Sequence, residues 1–313
     1  MRISLVVSEK SEIVPGIFRF ELRAADGAAL PPWQAGAHLR LTTPSGAMRR
    51  YSLCNDPAEP DRYVLGVKRE ADGEGGSISM TDRLMVGDLI ESTEPVNDFP
   101  LDPDAASYLL IAGGIGITPM LAMAAELQAR HRSFRLIYCA RSADLAAFQG
   151  ELMQSGFAHR VTFHFDGGDK LRALDVAALL SEHPPGGHVY CCGPRPLMLA
   201  VRAAASHWPK GTVHFEDFGT SEMPAPAGSF RVRLARSGAV VVVPPDISIL
   251  EALRRRGMDV PSSCEAGTCG SCRVGLLAGQ ADHRDFVLDD DEFDSAIMIC
   301  VSRAVSEELT IDV

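Results

Sequence analysis

Short stretches in which apolar and polar residues alternate run through the first hundred residues of the chain. They cover residues 3–7, 17–22, 38–41 and 63–67, and turn-forming pairs such as Asp26-Gly27 and Asp72-Gly73 separate them. Alternation with a period of two predicts strands that bury one face. A single helix is predicted over residues 77–85, with Gly87 just beyond its last turn. Many short strands with one helix predict a small antiparallel β-barrel over residues 1–102.

From about residue 103 the pattern changes to apolar strands that alternate with helices. Residues 108–112 form a continuous apolar run, as expected of a strand buried on both faces. Further strands are predicted over residues 134–139, 161–165 and 188–192, and helices over residues 119–130, 144–156, 173–181 and 194–206. This order of strands and helices predicts an α/β domain with a parallel, doubly wound sheet over residues 103–221.

A third region follows residues 222–228, a Pro- and Ala-rich segment with few large apolar residues that predicts a semi-rigid linker. Beyond it, residues 230–234 and 240–243 predict a hairpin, and residues 248–256 predict a helix that ends at Gly257. The chain therefore divides into three predicted domains, at residues 1–102, 103–221 and 229–313.

Composition is that of a soluble globular protein of several domains. The chain has 313 residues, too many for one ordinary core, and 46% of them are hydrophobic and 23% charged. No apolar run approaches the roughly 18 residues that span a bilayer, and residues 1–10 turn polar too early for a secretory signal. The net charge of −11 argues against nucleic acid, whose binders cluster Lys and Arg. We therefore expect a cytoplasmic protein that binds neither membranes nor nucleic acid.

Four of the eight cysteines form the strongest chemical signal in the chain. Cys264, Cys269 and Cys272 have the spacing C-x4-C-x2-C, and Cys300 follows at a distance. This is the spacing of the ligands in plant-type [2Fe-2S] proteins, where each iron takes two thiolates and shares two sulfides with the other. Small residues between the cysteines let the backbone wrap closely and direct N–H groups to the sulfur atoms. The four cysteines are therefore predicted to hold a [2Fe-2S] cluster.

Two other interpretations of these cysteines stay open. A zinc site usually shows paired C-x2-C units, and only Cys269 and Cys272 form one. A disulfide set is disfavoured in a chain that is expected to be cytoplasmic. Beyond the cysteines, residues 229–313 resemble plant-type ferredoxins, which carry an acidic turn similar to residues 282–292 of this chain before the fourth cysteine. The resemblance implies an α+β β-grasp ferredoxin fold for this domain.

The first domain contains the motif R-x-Y-S, from Arg49 to Ser52. It resembles the flavin-binding signature of the ferredoxin reductase family. The resemblance implies that Arg49 meets the flavin phosphate, that Tyr51 lies against the ring system and that Ser52 offers its hydroxyl to the flavin N5. The tetrapeptide by itself is equally typical of an ordinary exposed strand.

A glycine pair supports the flavin site. Gly75, Gly76 and Ser77 lie at the predicted start of a helix, where free N–H groups and the helix dipole favour a phosphate. Glycine pairs also mark plain turns, so that interpretation remains open. Val67 and Lys68, which lie between the two motifs, are expected to flank the edge of the ring. A single phosphate site at a helix start favours FMN over FAD.

The loop after the first strand of the second domain reads Gly-Gly-Ile-Gly-Ile-Thr-Pro. Its glycines permit a tight turn and the close approach of a pyrophosphate, while Thr118 is expected to cap the next helix and Pro119 to occupy its first position. The final proline departs from G-x-G-x-x-G but is similar to the loop of the ferredoxin reductase family. Gly114, Gly116, Thr118 and Pro119 are therefore predicted to bind a nicotinamide dinucleotide.

Cys192, Gly193 and Pro194 resemble the C-G-P segment of the same family. The resemblance implies that Cys192 lies beside the nicotinamide, at the position of hydride transfer, and that Gly193 and Pro194 face the dinucleotide. Taken alone, the same residues suit a buried cysteine at the end of a strand that precedes a Pro-started helix.

Three further segments supply candidate cofactor contacts. Arg141 and Ser142 end the second strand of this domain, where Arg141 could hold the 2′-phosphate of NADPH or the pyrophosphate of NADH; we favour NADH. Asp166 ends the next strand, either as a cofactor contact or as a turn former. Phe218 is the candidate aromatic that packs against the flavin, with Phe215 as the alternative and a core role open for either.

The order of flavin barrel, nucleotide domain and ferredoxin resembles the family of phthalate dioxygenase reductase and vanillate demethylase reductase over essentially the whole chain. The resemblance implies a reductase that passes a hydride from NADH to FMN, with Ser52 and Cys192 as catalytic residues. It then delivers electrons singly, through the [2Fe-2S] cluster, to a Rieske-type oxygenase acting on an aromatic acid. The acidic residues 289–292 could steer the docking of that oxygenase, although such runs are more often solvated surface. A stand-alone flavin or ferric reductase, and a redox-sensing module with a structural metal site, are the alternatives.

Overall fold

The computed structural model describes residues 2–73, 75–219 and 228–313. The chain divides into two compact units, Met1–Glu216 and Asp217–Val313. The predicted linker at residues 222–228 lies outside the described residues, apart from Gly228. Among the described residues, no helix combines the length and the apolar character needed to cross a membrane.

Antiparallel strands and one helix fill the first hundred residues: β1 (Arg2–Val14), β2 (Ile17–Ala24), β3 (Ala37–Thr42), β4 (Met48–Ser52), β5 (Tyr63–Lys68), α1 (Gly76–Arg83), β6 (Leu89–Thr93) and β7 (Val96–Asn97). The strand order is β4-β3-β6-β1-β2-β5, with β7 paired to β3. A bridge between Leu53 and Leu65 connects the two ends of this order and closes the barrel. Fully buried side chains such as Leu5, Phe20 and Leu39 fill its interior, because every second residue of each strand points inward.

Helix α1 ends two residues earlier than predicted. Lys10 on β1 explains the position of its end, because Lys10 Nζ donates to the carbonyl oxygens of Thr81 at 2.6 Å and Leu84 at 2.8 Å. The last carbonyl groups of a helix receive no hydrogen bond from within the helix, and a cation at this end donates one to them. The chain then turns at Gly87, whose φ is 94°.

The rest of the first unit alternates strands and helices: β8 (Ser107–Gly113), α2 (Ile117–Ala129), β9 (Ser133–Ala140), α3 (Gln149–Gln154), β10 (Val161–Phe165), α4 (Val176–Leu179), β11 (Gly187–Cys192), α5 (Arg195–Ala204) and β12 (Val213–Glu216). All five strands are parallel, in the order β10-β9-β8-β11-β12. The order reverses between β8 and β11, and in such sheets ligands bind outside the carboxyl ends of the strands at this point.

Two helices of this sheet are shorter than predicted. The helix expected at residues 144–156 is a 3-10 turn, Ala143–Leu145, followed by α3, and Phe148 in a left-handed conformation (φ 61°) separates them. The helix expected at residues 173–181 is only α4. Its start is fixed by Asp175, whose carboxylate accepts a hydrogen bond from Ala178 N at 3.0 Å.

In the described part of the second unit, a small mixed sheet accompanies helix α6: β13 (Phe230–Leu234), β14 (Val240–Val243), α6 (Ile249–Arg254), β15 (Arg273–Ala278), β16 (Ala281–Asp282), β17 (Ala296–Met298), β18 (Arg303–Ala304) and β19 (Glu308–Ile311). The main sheet has the order β14-β13-β19-β15-β17, in which β13 and β19 are parallel, and β16 pairs with β18. Ser248 caps α6, and Ile249, Leu250 and Leu253 bury its inner face. The three predicted fold classes, barrel, doubly wound α/β sheet and β-grasp, are confirmed.

Candidate functional site

Strand β4 brings the R-x-Y-S motif to the start of helix α1. A methyl group on Gly76 would come within 2.8 Å of both Cγ and Nε of Arg49, so the Arg49 side chain lies directly over the first residue of the helix. Gly75 precedes the helix with φ 80°, a conformation that favours glycine. The first N–H groups of a helix and a guanidinium together attract an anion. These residues therefore fit the phosphate of a flavin mononucleotide.

The other predicted flavin residues differ in how far their side chains are exposed. Tyr51 is half-buried against the barrel core, and burial raises the pKa of its phenol to about 12. The Val67 side chain is fully buried in that core, so only its main chain is free to face a flavin. Lys68 is exposed and pairs with Glu70 at 2.6 Å. Ser77 Oγ accepts a hydrogen bond from Glu70 N at 3.1 Å, which ties the preceding loop to α1.

The loops after β8 and β11 meet where the strand order reverses. A methyl group on Gly116 would come within 2.1 Å of the Cys192 carbonyl oxygen, and one on Gly113 within 2.6 Å of Pro194 Cδ. Contact between the loops therefore requires glycine at both positions. Gly114 has φ 56° and open space on its Cα, which leaves its main chain accessible to a ligand.

Helix α2 starts earlier than predicted. Residues Gly114–Gly116 form a turn of 3-10 helix, and Gly116 is the N-cap of α2. The Thr118 hydroxyl donates to the Ile115 carbonyl at 3.0 Å instead of capping the helix, and Pro119 is its third residue. The predictions of a Thr118 cap and a Pro119 start were wrong because the 3-10 turn begins the winding before them. Proline is tolerated there, since N–H groups of the first turn have no intrahelical acceptor.

Ser52 and Cys192, the predicted catalytic residues, both neighbour Glu216, Ser52 through a hydrogen bond and Cys192 through strand pairing. Ser52 Oγ donates to Glu216 Oε2 at 3.1 Å, and Glu216 is the register partner of Cys192 in the pairing of β12 with β11. Ser52 is 4% and Cys192 1% exposed, so bulk water has little access to either. Sequence reasoning missed Glu216, which is 164 residues from Ser52. Its place at the end of the last parallel strand was the one available signal.

Arg141, Ser142 and Asp166 lie together at the ends of β9 and β10. Gly167 N donates to the Arg141 carbonyl at 2.8 Å, and Asp166 Oδ1 accepts from Gly168 N at 2.7 Å. The Asp166 carboxylate thus closes a turn, which is the second role considered for it. The Arg141 side chain is exposed, and an exposed guanidinium at this edge suits a phosphate group of a dinucleotide.

The two aromatic candidates fall in different units. Phe215 belongs to β12 and is buried, with 5% exposure, as a core side chain would be. Phe218 is half-buried and belongs to the second unit, inside the turn in which Gly219 N donates to Asp217 Oδ1 at 2.8 Å. The predicted contact of Phe218 with the flavin stays a prediction.

The four predicted cluster ligands converge in the second unit as two pairs. Cys264, Cys272 and Cys300 are buried and Cys269 is half-buried. The thiols of Cys264 and Cys269 are in hydrogen-bonding contact, and so are those of Cys272 and Cys300. The part of the second unit that the structure describes contains no group of three or more His, Cys, Asp or Glu side chains placed to hold a single metal ion. The pairing of Cys264 with Cys269 and of Cys272 with Cys300 suits a two-iron cluster, in which each iron takes two thiolates.

Backbone N–H groups point at the sulfur atoms of the cluster loop. Ala266 N and Thr268 N each lie 3.4 Å from Cys264 Sγ, and Cys264 N lies 3.3 Å from Cys269 Sγ. The Cys269 thiol, helped by the Ala266 and Thr268 N–H groups, lowers the pKa of Cys264 to about 5. The Cys300 thiol likewise lowers the pKa of Cys272. The pKa of the partner thiol in each pair, Cys269 or Cys300, is raised by its hydrogen bond to the other cysteine and by burial. One thiol of each pair is thus favoured as the thiolate, the form that binds iron, and the N–H groups directed at sulfur fit a [2Fe-2S] cluster.

Two family models match the chain. The 2Fe-2S iron-sulfur cluster binding domain matches residues 232–305, and the oxidoreductase NAD-binding domain matches residues 110–203. Together with the barrel, they define a nicotinamide-dependent flavoprotein oxidoreductase with a C-terminal ferredoxin domain. Its cofactors are FMN, NADH and a [2Fe-2S] cluster, as predicted.

Named relatives cover almost the full chain. Phthalate dioxygenase reductase from Burkholderia cepacia is 50% identical over 312 residues, which is 99% of this chain and 97% of the relative. Vanillate O-demethylase oxidoreductase from a Pseudomonas species is 41% identical over 99% of both chains. A solved phthalate dioxygenase reductase, described as a modular structure for electron transfer from pyridine nucleotides to [2Fe-2S], matches with a TM-score of 0.74 and 50% identity over 100% of this chain and 98% of that one.

The chain belongs to the phthalate dioxygenase reductase family. It is accordingly the reductase component of an oxygenase system, and it passes electrons from NADH through a flavin and a [2Fe-2S] cluster to the oxygenase. The predicted family and activity are confirmed.

Proposed function

We propose that the first unit holds NADH and FMN for direct hydride transfer at a position lined by Ser52, Glu216 and Cys192. The second unit then delivers the electrons singly to a Rieske-type oxygenase acting on an aromatic acid. The observation that carries the proposal is the hydrogen bond from Ser52 to Glu216, which links the flavin motif of the barrel to the end of the nucleotide-binding sheet. Phthalate and vanillate, in the names of relatives, are aromatic acids and support that substrate class.

Arg49 and helix α1 anchor the flavin in this proposal. The Arg49 guanidinium and the N–H groups of Gly76 and Ser77 bind the phosphate, and the half-buried Tyr51 presents its ring to the flavin. When bound, FMN supplies the chemistry that accepts two electrons as hydride and releases them one at a time. A single helix start beside one arginine suits a mononucleotide.

Ser52, Glu216 and Cys192 prepare the position of hydride transfer. Glu216 Oε2 accepts the single Ser52 Oγ proton in a hydrogen bond and holds the hydroxyl in place; with FMN bound, that proton would be donated to the flavin N5 instead. Cys192 is 1% exposed, so its side chain would exclude water beside the nicotinamide. Excluding water strengthens the electrostatic effect of the Ser52 hydroxyl and prevents loss of the hydride to solvent.

The two glycine-containing loops bind the dinucleotide. The main chain at Gly114 and Gly116, followed by the start of α2 at Thr118 and Pro119, faces the pyrophosphate. On the other side, Gly193 and Pro194 cover the nicotinamide end. Their contact with the first loop, through Gly113, supports this arrangement, because it brings both loops to one crevice. At the adenosine end, Arg141 and Ser142 bind the ribose and phosphates.

The four cysteines hold the cluster as two pairs. Cys264 and Cys269 bind one iron, and Cys272 and Cys300 bind the other, as supported by their contacts. N–H groups directed at the sulfur atoms stabilise the thiolates and tune their basicity.

The four residues of the predicted acidic docking surface, 289–292, differ in exposure. Asp289 and Glu292 form a capping box with each other's backbone, and Glu292 also pairs with Arg273 at 2.8 Å. Asp290 and Asp291 are exposed between them. We propose that these two carboxylates steer the oxygenase, since exposed charges raise association rates.

The test is direct reduction of a purified Rieske-type oxygenase by this protein and NADH without oxygen. The absorbance of the oxygenase cluster should bleach, and addition of oxygen with an aromatic acid should give the oxidised product. A variant with Asp290→Asn and Asp291→Asn should need more oxygenase for the same rate, whereas Asp294→Asn should not. Reduction of free flavin or ferric chelates alone, with the oxygenase unaffected, would favour the stand-alone reductase instead.

A further inference from the structure

Asp285 is a buried carboxylate beside the loop that carries the first three cluster cysteines. Its side chain is 0% exposed. Oδ2 accepts hydrogen bonds from Val287 N at 3.0 Å and Leu288 N at 2.8 Å, and Oδ1 accepts one from the Ser302 hydroxyl at 3.4 Å. In all three bonds the carboxylate is the acceptor. Ser302 is itself 0% exposed and lies two residues after Cys300.

The backbone of Asp285 also contacts the loop that carries the first three cysteines. Gly267, between Cys264 and Cys269, has φ 74°, and a methyl group on it would come within 3.1 Å of Asp285 Cα and 2.6 Å of Val301 Cγ2. Next to this contact, Phe286 N donates to the Gly267 carbonyl at 2.8 Å. Asp285 therefore lies where the cluster loop meets the segment of the fourth cysteine.

We infer that Asp285 is a positioning residue for the [2Fe-2S] cluster and that its charge lowers the reduction potential of that cluster. The link to Ser302 fixes the segment after Cys300 against the loop around Gly267, so both halves of the ligand set keep their spacing. A negative charge buried in protein is screened much less than one in water. It disfavours the addition of an electron to a nearby centre, as it disfavours any gain of negative charge.

This inference rests on the proposed assignment of the four cysteines, and the variant Asp285→Asn tests it. Asparagine has the same shape, so its oxygen can accept the Val287 and Leu288 N–H bonds while its amide donates to Ser302. The variant thus removes the charge and keeps the link. Ser302→Ala is the matched control, because it removes the link and keeps the charge.

The measurement is an anaerobic redox titration of the full-length protein, followed by the electron paramagnetic resonance signal of the reduced cluster. At a fixed ambient potential, Asp285→Asn should raise the ratio of reduced to oxidised cluster about tenfold, which is about 59 mV for one electron. Ser302→Ala should change that ratio less than about threefold, although it should lower the thermal midpoint of the second unit.

An unchanged potential in Asp285→Asn would overturn the inference, and so would an equal shift in Ser302→Ala, where the charge remains. If Asp285→Asn folded without acid-labile sulfide while Ser302→Ala carried a full cluster, Asp285 would serve assembly and not the potential, which also overturns it. A wild-type protein without sulfide would instead contradict the proposed function.

Discussion

Gly76→Ala separates the role of Arg49 in flavin binding from the stability of the barrel. The added methyl group would lie 2.8 Å from Arg49 Cγ and Nε, closer than carbon atoms pack, so the arginine must leave its place over α1. The helix itself tolerates the change, because alanine inside a helix is favoured over glycine by about 1 kcal/mol. The substitution therefore displaces one side chain without unfolding the element beneath it.

The expected loss of affinity follows from the strength of the bond between the guanidinium and the phosphate. A hydrogen bond to a charged group contributes about 1.5–3 kcal/mol, and about 1.4 kcal/mol is a tenfold change in Kd. Gly76→Ala should therefore raise the Kd of FMN about 10- to 100-fold. Titration of flavin-free protein, followed by quenching of flavin fluorescence, measures this value. Riboflavin, which lacks the phosphate, should bind wild type and variant equally.

Gly150→Ala is the matched control for Gly76→Ala. Gly150 lies in helix α3, and no atom lies within 4 Å of the position that its methyl group would take. It should therefore leave both flavin affinities unchanged. Equal FMN affinity in wild type and Gly76→Ala would refute the phosphate site under Arg49, and an equal loss for riboflavin would show that the ring site had changed instead.

Three other predictions follow from contacts within single units. Ser52→Ala, which removes the hydroxyl next to Glu216, should slow flavin reduction by NADH about 10- to 100-fold in stopped-flow absorbance, and an unchanged rate would contradict its role. Gly267→Ala puts a methyl group against Val301 on a residue whose backbone is left-handed, which costs at least about 1–2 kcal/mol of stability. It should lower both the thermal midpoint and the content of acid-labile sulfide, and a normal midpoint would contradict it. Burial lowers the pKa of His214 from 6.5 to about 4, so the unfolded chain binds more protons between these values. Stability should then fall by on the order of 3 kcal/mol as the pH drops through that window, and His214→Gln should reduce the fall in the urea midpoint.

Much of the fold was predictable because its signals are local. Alternation marked the barrel strands, continuous apolar runs marked the parallel ones, and the spacing of Cys264, Cys269 and Cys272 marked the metal-binding loop. Helix ends were less predictable, since they depend on contacts from elsewhere. Lys10 ends α1 from a distance of about seventy residues, and the 3-10 turn before α2 displaced Thr118 from the cap position.

The candidate site was predictable only where a motif carries its own geometry. R-x-Y-S, the glycine loop and C-G-P are each a short continuous segment of chain, so their residues could be named from the sequence. Glu216 could not, because its contact with Ser52 joins two domains across the fold. Asp285 was only one carboxylate of the acidic run at residues 282–292, and its burial depends on the packing of Gly267 and Ser302 around it.

The central claim is that electrons leave the flavin through a cluster held by four thiolates, and Cys300→Ala tests it most directly. NADH should still bleach the flavin of this variant at the wild-type rate, while NADH-driven reduction of cytochrome c, a one-electron acceptor, should fall to background. Cys139→Ala, which alters a half-buried cysteine outside the cluster, should keep both activities. Wild-type rates of cytochrome c reduction by Cys300→Ala would contradict the account.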